Sequence, residues 1–209
     1  MDKFKSAECI SGVRYVEDKS EFISFAYYCD GEYKDRLKYL KAEYPDATHI
    51  CYAYRYFDKE LMLEKGQYRE YANSNDAGEP SGTAGMPILN AIKSAEANNV
   101  LVCVVRYFGG NKLGASNLAR AYNYSASLAL QDTVEYSLSS NYEIKVNYSQ
   151  YNQLCELQNK GVISIVESKF DSDIDCVLQV KNSDLDMLKR AVPELILSKT
   201  GQDYMREVR

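Results

Sequence analysis

Hydrophobic and polar positions alternate in two distinct registers along this chain. SEFISFAYYC (20–29) is β-branched and aromatic, which predicts a strand. In GEYKDRLKYLKAEYP, residues Tyr33, Leu37, Leu40 and Tyr44 fall at offsets 0, 4, 7 and 11, one face of a helix that Pro45 stops. ATHICYAYRYF (47–57) sets His49, Cys51, Ala53 and Arg55 against Ile50, Tyr52, Tyr54 and Tyr56, a strand with two different faces. Residues 58–71 read as a hairpin or irregular arm. A helix is expected over 86–99, with Pro87 in its first turn. VLVCVVRYF (100–108) is an unbroken apolar run ending near Arg106, the pattern of a strand covered on both faces. GGNKLG (109–114) turns the chain into a second helix over about 115–130, with Leu118, Tyr122, Ser125 and Leu128 on one side.

The pattern restarts after Asp132. A strand (135–148), a helix stopped by Gly161, two strands (VISIVESKF and IDCVLQV), a short helix with Ser183 as N-cap, and a last strand within 194–203 follow in order. That is the split βαβ, ferredoxin-like order. The expected fold class is α+β, with an N-terminal domain over 1–134 and a ferredoxin-like domain over 135–209.

Composition narrows the function classes. The net charge is −5 over 209 residues, and neither half is basic, so any nucleic-acid contact must use a local patch. No run approaches a membrane span and MDKFKSAECI lacks a signal-peptide core, so a cytoplasmic protein without membrane contact is expected. Six scattered cysteines without a Cys-x-x-Cys pair read as free, mostly buried thiols, and a single histidine, His49, leaves a zinc site without its usual partners. No metal and no cofactor are expected.

Two glycine-rich segments carry the candidate chemistry. NDAGEPSGTAGMP (75–87) and GGNKLG each precede a helix, whose first N–H groups attract anions while glycine lets a ligand approach the backbone. Two readings stand side by side, an anion cradle and tight strand–helix turns. Neither a P-loop nor a dinucleotide motif fits, because Gly114 is followed by Ala115 and Gly-x-Gly-x-x-Gly is absent. Residues 97–131 contain Arg106, Lys112 and Arg120 and no acid, which marks them as a basic patch or as ordinary solvated element ends. Asp76 and Glu79 are either an acid/base or metal pair, or acids stabilising a helix start. His49 and Cys51 share a strand face about 7 Å apart, too far for a nucleophile–base pair, so His49 reads as a packed histidine. Nineteen tyrosines offer stacking surface for bases or half-buried packing.

GEPSGTAGMPIL, VVRYFGG, KLG and LARAY, in this order over residues 78–122, resemble the signature of the IMPACT family, and ATHICYAYRY upstream resembles a further block of it. The resemblance implies an N-terminal domain like the second domain of the fifth small-subunit ribosomal protein and domain IV of elongation factor G. It implies a C-terminal domain like domain V of that factor. Eukaryotic members regulate translation by competing for an activator of the kinase that modifies initiation factor 2. Two positions depart from the family pattern: Ala77 stands where a second aspartate is usual, and Ala115-Ser116-Asn117 replaces a glycine-richer turn.

The expected function is a non-enzymatic binding protein of translation regulation, with RNA, the ribosome or a translation factor as partner. Arg106, Lys112, Arg120, Gly109, Gly110, Ser81 and Thr83 would contact the anion, while Asp76, Glu79, Gly82, Gly85 and His49 would shape the site. Two alternatives are an enzyme acting on a small phosphorylated or carboxylate ligand held between the loops, with Glu79 and Asp76 as acid/base candidates, Arg106 as anion clamp and no recognisable nucleophile–base pair, and a protein-interaction regulator without nucleic-acid contact.

Overall fold

The computed structural model describes residues 3–7, 12–58 and 69–206. It divides into two compact units, Lys5–Val134 and the chain from Glu135 onward together with Lys3 and Phe4.

The first unit is built on a five-stranded antiparallel sheet. Its strands are β2 (Val13–Glu17), β3 (Ser20–Tyr28), β4 (His49–Phe57), β5 (Glu70–Asn75) and β6 (Val100–Tyr107), in the order β2-β3-β6-β4-β5. Helix α1 (Lys34–Glu43) links β3 to β4, α2 (Gly85–Ser94) lies between β5 and β6, and α3 (Ala115–Ala129) follows β6. The apolar run of β6 occupies the centre, buried on both faces, as its neighbour β3 largely is. Val100, Val102 and Val104 join the core under α2 and α3, and Leu101, Cys103 and Val105 join the core under α1. The two faces of β4 divide the same way: Cys51 and Ala53 face α2 and α3, while Ile50, Tyr52, Tyr54 and Tyr56 face the α1 side. On α1, Leu40 is fully buried, with Tyr33, Leu37 and Tyr44 packed beside it. Burying that leucine alone contributes about 1.5–3 kcal/mol.

The second unit contains β7 (Thr133–Val146), α4 (Tyr148–Asn159), β8 (Ile163–Phe170), β9 (Ile174–Lys181), α5 (Leu185–Ala191) and β10 (Ser198–Arg206). Pairing β10 with β7, β7 with β9 and β9 with β8 gives the ferredoxin-like order β10-β7-β9-β8. The N-terminal strand β1 (Lys3–Ala7) also pairs with β7. Ile144, Leu154, Leu157, Ile174, Leu178 and Leu188 lie at the centre of this unit's core. A capping box starts α4: the Asn147 carboxamide accepts the Gln150 N–H at 2.9 Å, and the Gln150 carboxamide accepts the Asn147 N–H at 3.0 Å.

Two expectations need correction, the end of α2 and the role of Ser183. Strands β1, β2 and β5 had no reading in the pattern; β5 is EYANSN, polar throughout and largely exposed, so no alternation announces it. The arm expected over 58–71 lies mostly outside the described residues, although β4 and β5 do pair antiparallel. The helix expected to reach residue 99 stops at Ser94, because Glu96 and Asn99 adopt positive φ and Asn98 and Asn99 are buried in contacts to distant chain. There the Asn98 N–H donates to the Lys5 carbonyl, and the Asn99 carbonyl accepts from Ser6 and from the Cys29 N–H. Ser183 is not a cap; it sits in a 3₁₀ turn (Asn182–Asp184) and its hydroxyl donates to the Asp184 side chain.

Cys29, Cys51, Cys103 and Cys176 are buried free thiols and Cys155 is half-buried and free. Among the described residues no helix is long and apolar enough to cross a membrane, and no cluster of three metal-ligating side chains occurs.

Candidate functional site

The two glycine-rich loops converge at one end of the first unit's sheet. The strand β6 delivers Arg106, the first loop delivers Glu79, and α3 delivers Tyr122. These three side chains form a buried ionic network. Glu79 Oε1 accepts from Arg106 Nη1 at 2.6 Å and from the Tyr122 hydroxyl at 2.7 Å. The Glu79 and Arg106 side chains are 4% and 6% exposed. Arg106 Nη2 also donates to Ser20 Oγ at 3.2 Å, and the same oxygen accepts the Gly109 N–H at 3.3 Å. The guanidinium lies 5.5 Å from the ring centres of both Phe22 and Phe108.

Burial pushes the Tyr122 phenol strongly up, and the neighbouring Cys51 and Glu79 push in the same direction. Burial likewise raises the Cys51 thiol to about 12, although the Tyr122 hydroxyl opposes it. Cys51 is therefore not a thiolate near neutrality and donates its S–H to the Asp76 carbonyl, at 3.0 Å, and toward Tyr122, at 3.3 Å. His49 Nδ1 lies 2.9 Å from the Ala77 carbonyl, so this nitrogen carries the proton it donates; Nε2 faces Glu79 Oε2 at 3.8 Å. The pairing of His49 with Cys51 that strand spacing disfavours does not occur, since each side chain has its own partners.

Asp76 holds the first loop to the start of α2. Its Oδ1 accepts the N–H groups of Ala84 (3.0 Å) and Gly85 (2.8 Å), and its Oδ2 accepts that of Gly82 (2.8 Å). Burial alone would raise this carboxyl, but the three backbone donors outweigh it and hold it below the ordinary aspartate value. Of the two roles open for the acid pair, Asp76 therefore takes the helix-stabilising one, and Glu79 is an ion-pair partner. Between them Ala77 and Gly78 both have positive φ (48° and 90°), and the Glu79 N–H donates to the Asp76 carbonyl at 2.9 Å, the type I′ turn. Aspartate tolerates positive φ better than alanine. The family's usual second aspartate thus falls at a position of backbone demand.

Gly109 is required by space: a Cβ there would lie 2.0 Å from the Lys19 backbone. Thr83 is buried and its hydroxyl donates to the Pro80 carbonyl at 2.6 Å, while Ser81 is exposed. Glu79, Pro80, Arg106, Phe108, Lys112, Leu113, Gly114, Ala115 and Leu118 line a cavity of about 300 Å³. The structure thus brings Arg106, Lys112 and Glu79 together. It does not place Arg120 with them; that side chain is 72% exposed and stands 3.8 Å from Glu17. The basic patch is corrected accordingly, because the acid that offsets Arg106 lies outside the acid-free segment. Tyr122 and Ser20 belong to the network but carried no functional signal, since tyrosine on a helix face and serine at a strand start are ordinary packing residues.

The Impact N-terminal domain model matches residues 18–130, the span holding both loops and the network. An IMPACT family member of Haemophilus influenzae is 28% identical over 193 residues, covering 88% of this chain and 89% of the relative. YvyE of Bacillus subtilis is 28% identical over 189 residues, covering 88% and 83%. A Thermus thermophilus family member is 41% identical over 117 residues, covering 56% and 58%. Among solved structures, a hypothetical protein 24% identical in sequence superposes with a TM-score of 0.58, covering 94% of this chain and 97% of that one, which shows a shared fold. With the domain match spanning more than half of the residues and relatives aligned along most of the length, this chain belongs to the IMPACT family.

Proposed function

We propose that this chain is a non-enzymatic binding protein of translation regulation that contacts RNA phosphate at the cavity between its two glycine-rich loops. The observation that carries the reading is the meeting, in one cavity, of Lys112 with the uncapped start of α3. Gly114 supplies no side-chain cap and the first turn holds no acid, so the helix presents free N–H groups and a partial positive charge. Family membership supports the link to translation, because members of this family in eukaryotes act there. The non-enzymatic reading is supported by the state of the buried groups: Glu79 is committed to Arg106 and Tyr122, Asp76 to three backbone donors, and Cys51 stays protonated. A cytoplasmic location is part of the same proposal.

Arg106 supports the cavity wall, so the informative substitution is Lys112→Ala. RNA binding measured across a salt series should weaken for all sequences alike, with the slope of log K against log salt falling by about 1. Unchanged affinity and slope would sink the assignment.

A further inference from the structure

The cavity wall divides by chemistry. Its polar lining includes Lys112, which has no ion-pair partner among the described residues, and the first turn of α3. The N–H groups of Ala115, Ser116 and Asn117 have no acceptor within their own helix, and the Asn117 carboxamide is turned back to the Leu113 carbonyl at 3.1 Å rather than capping them. At the back lies the Glu79–Arg106 pair. Its charges cancel, so Lys112 and the helix end leave the wall net positive. The Arg106 side chain is buried at this wall, and its Nε has no partner. The remaining lining, Pro80, Phe108, Leu113 and Leu118, is apolar, and Phe108 is 44% exposed.

We propose that this cavity takes a terminal phosphate monoester carried by a nucleoside, either as the free nucleotide or as the phosphorylated end of an RNA. The inference rests on the reading of the cavity as an anion site and names what kind of phosphate enters it. A monoester carries close to two charges and three terminal oxygens, which match a lysine and a fan of N–H donors. An internal diester carries one charge and two free oxygens, and its chain must enter and leave. A cavity of about 300 Å³ closed by the 79–80 loop, the end of β6 and the 112–115 turn admits a phosphoryl group end-on. The exposed face of Phe108 at the same rim stacks the base or sugar that follows.

The test titrates the full chain with AMP, with adenosine, and with one RNA oligomer prepared with a 5′-phosphate and with a 5′-hydroxyl. The expected result is at least tenfold tighter binding of AMP than of adenosine, and of the phosphorylated than of the hydroxyl oligomer. Ala115→Asp should erase both preferences, because its carboxylate takes the helix N–H groups for itself. An acid in the first turn favours the helix, so this variant should keep its fold and its thermal midpoint. Lys112→Ala should reduce both preferences independently. Equal affinities within each pair would overturn the proposal, as would preferences that survive in both folded variants. Phosphate-dependent binding of AMP with no binding of either oligomer would leave this proposal standing and remove the RNA reading. Equal binding of both oligomers with none of AMP would do the reverse.

Discussion

Arg106 is the residue whose meaning changes most between pattern and structure. As a cation in an acid-free stretch it looks available to a ligand; in the fold it is buried against Glu79 and a serine. A buried charge that loses its partner cannot recover its hydration, so the penalty falls on the group left behind. Arg106→Ala should therefore lower unfolding free energy by about 3–5 kcal/mol, read from the denaturant midpoint at unchanged slope. Pairing Arg106→Met with Glu79→Gln should lose less, since the neutral amide still accepts the Tyr122 hydroxyl and no charge is stranded. A loss of under about 1 kcal/mol for Arg106→Ala would show that the ion pair is not holding the two loops. The sequence singled out both Arg106 and Glu79, yet not their pairing, because 27 residues and an entire helix separate them. Periodicity shows which face of an element a residue occupies; it carries no information on which loop closes over that face.

Elements built on strong periodicity were legible to within a few residues: β3, α1, β4, β6, α3 and the whole β7-to-β10 series follow the apolar pattern. Illegible were elements defined by partners rather than by composition. β5 is a polar strand held by the edge of β4, and the end of α2 is set by buried asparagines that bind distant backbone. The start of α2, by contrast, was legible to within one residue, and it is held by Asp76, eight residues before Ala84. Three N–H donors on one carboxylate need both oxygens and their charge. Asp76→Asn should cost about 1 kcal/mol, within the range for lost caps. The sign in pH follows from the lowered carboxyl. Its stabilisation is fully present above the ordinary aspartate value of 3.8 and is lost as pH falls through the lower folded value. The variant should therefore lose stability at neutral pH and lose less on acidification than the parent. Parallel acid limbs for the two proteins would remove Asp76 from the account.

At the scale of the whole molecule, the N-terminus is shared between the two compact units, with Lys5 onward in the first. Lys3 and Phe4 group with the second unit, where Lys3 Nζ pairs with Glu135 at 2.8 Å and the Phe4 ring stacks on Tyr136 at 5.2 Å between centroids. The exposed ion pair contributes little. The aromatic contact is different, because Phe4 is buried and large-to-small replacement of a buried phenylalanine typically costs about 3–5 kcal/mol. β1 lies at the edge of its sheet, where neighbours relax more readily, so the lower end of that range is expected. Phe4→Ala should thus destabilise a unit whose remaining strands begin more than a hundred residues later. Hydrogen exchange makes this readable by unit. Amides of β7 and β9 should exchange faster in the variant, while those of β6, at the centre of the first unit's sheet, keep their protection. Faster exchange in β6 with none in β7 would assign Phe4 to the first unit instead. A fragment starting at 135 should behave as Phe4→Ala does, because it lacks the same ring, and adding a peptide of residues 1–7 should slow its β7 exchange again.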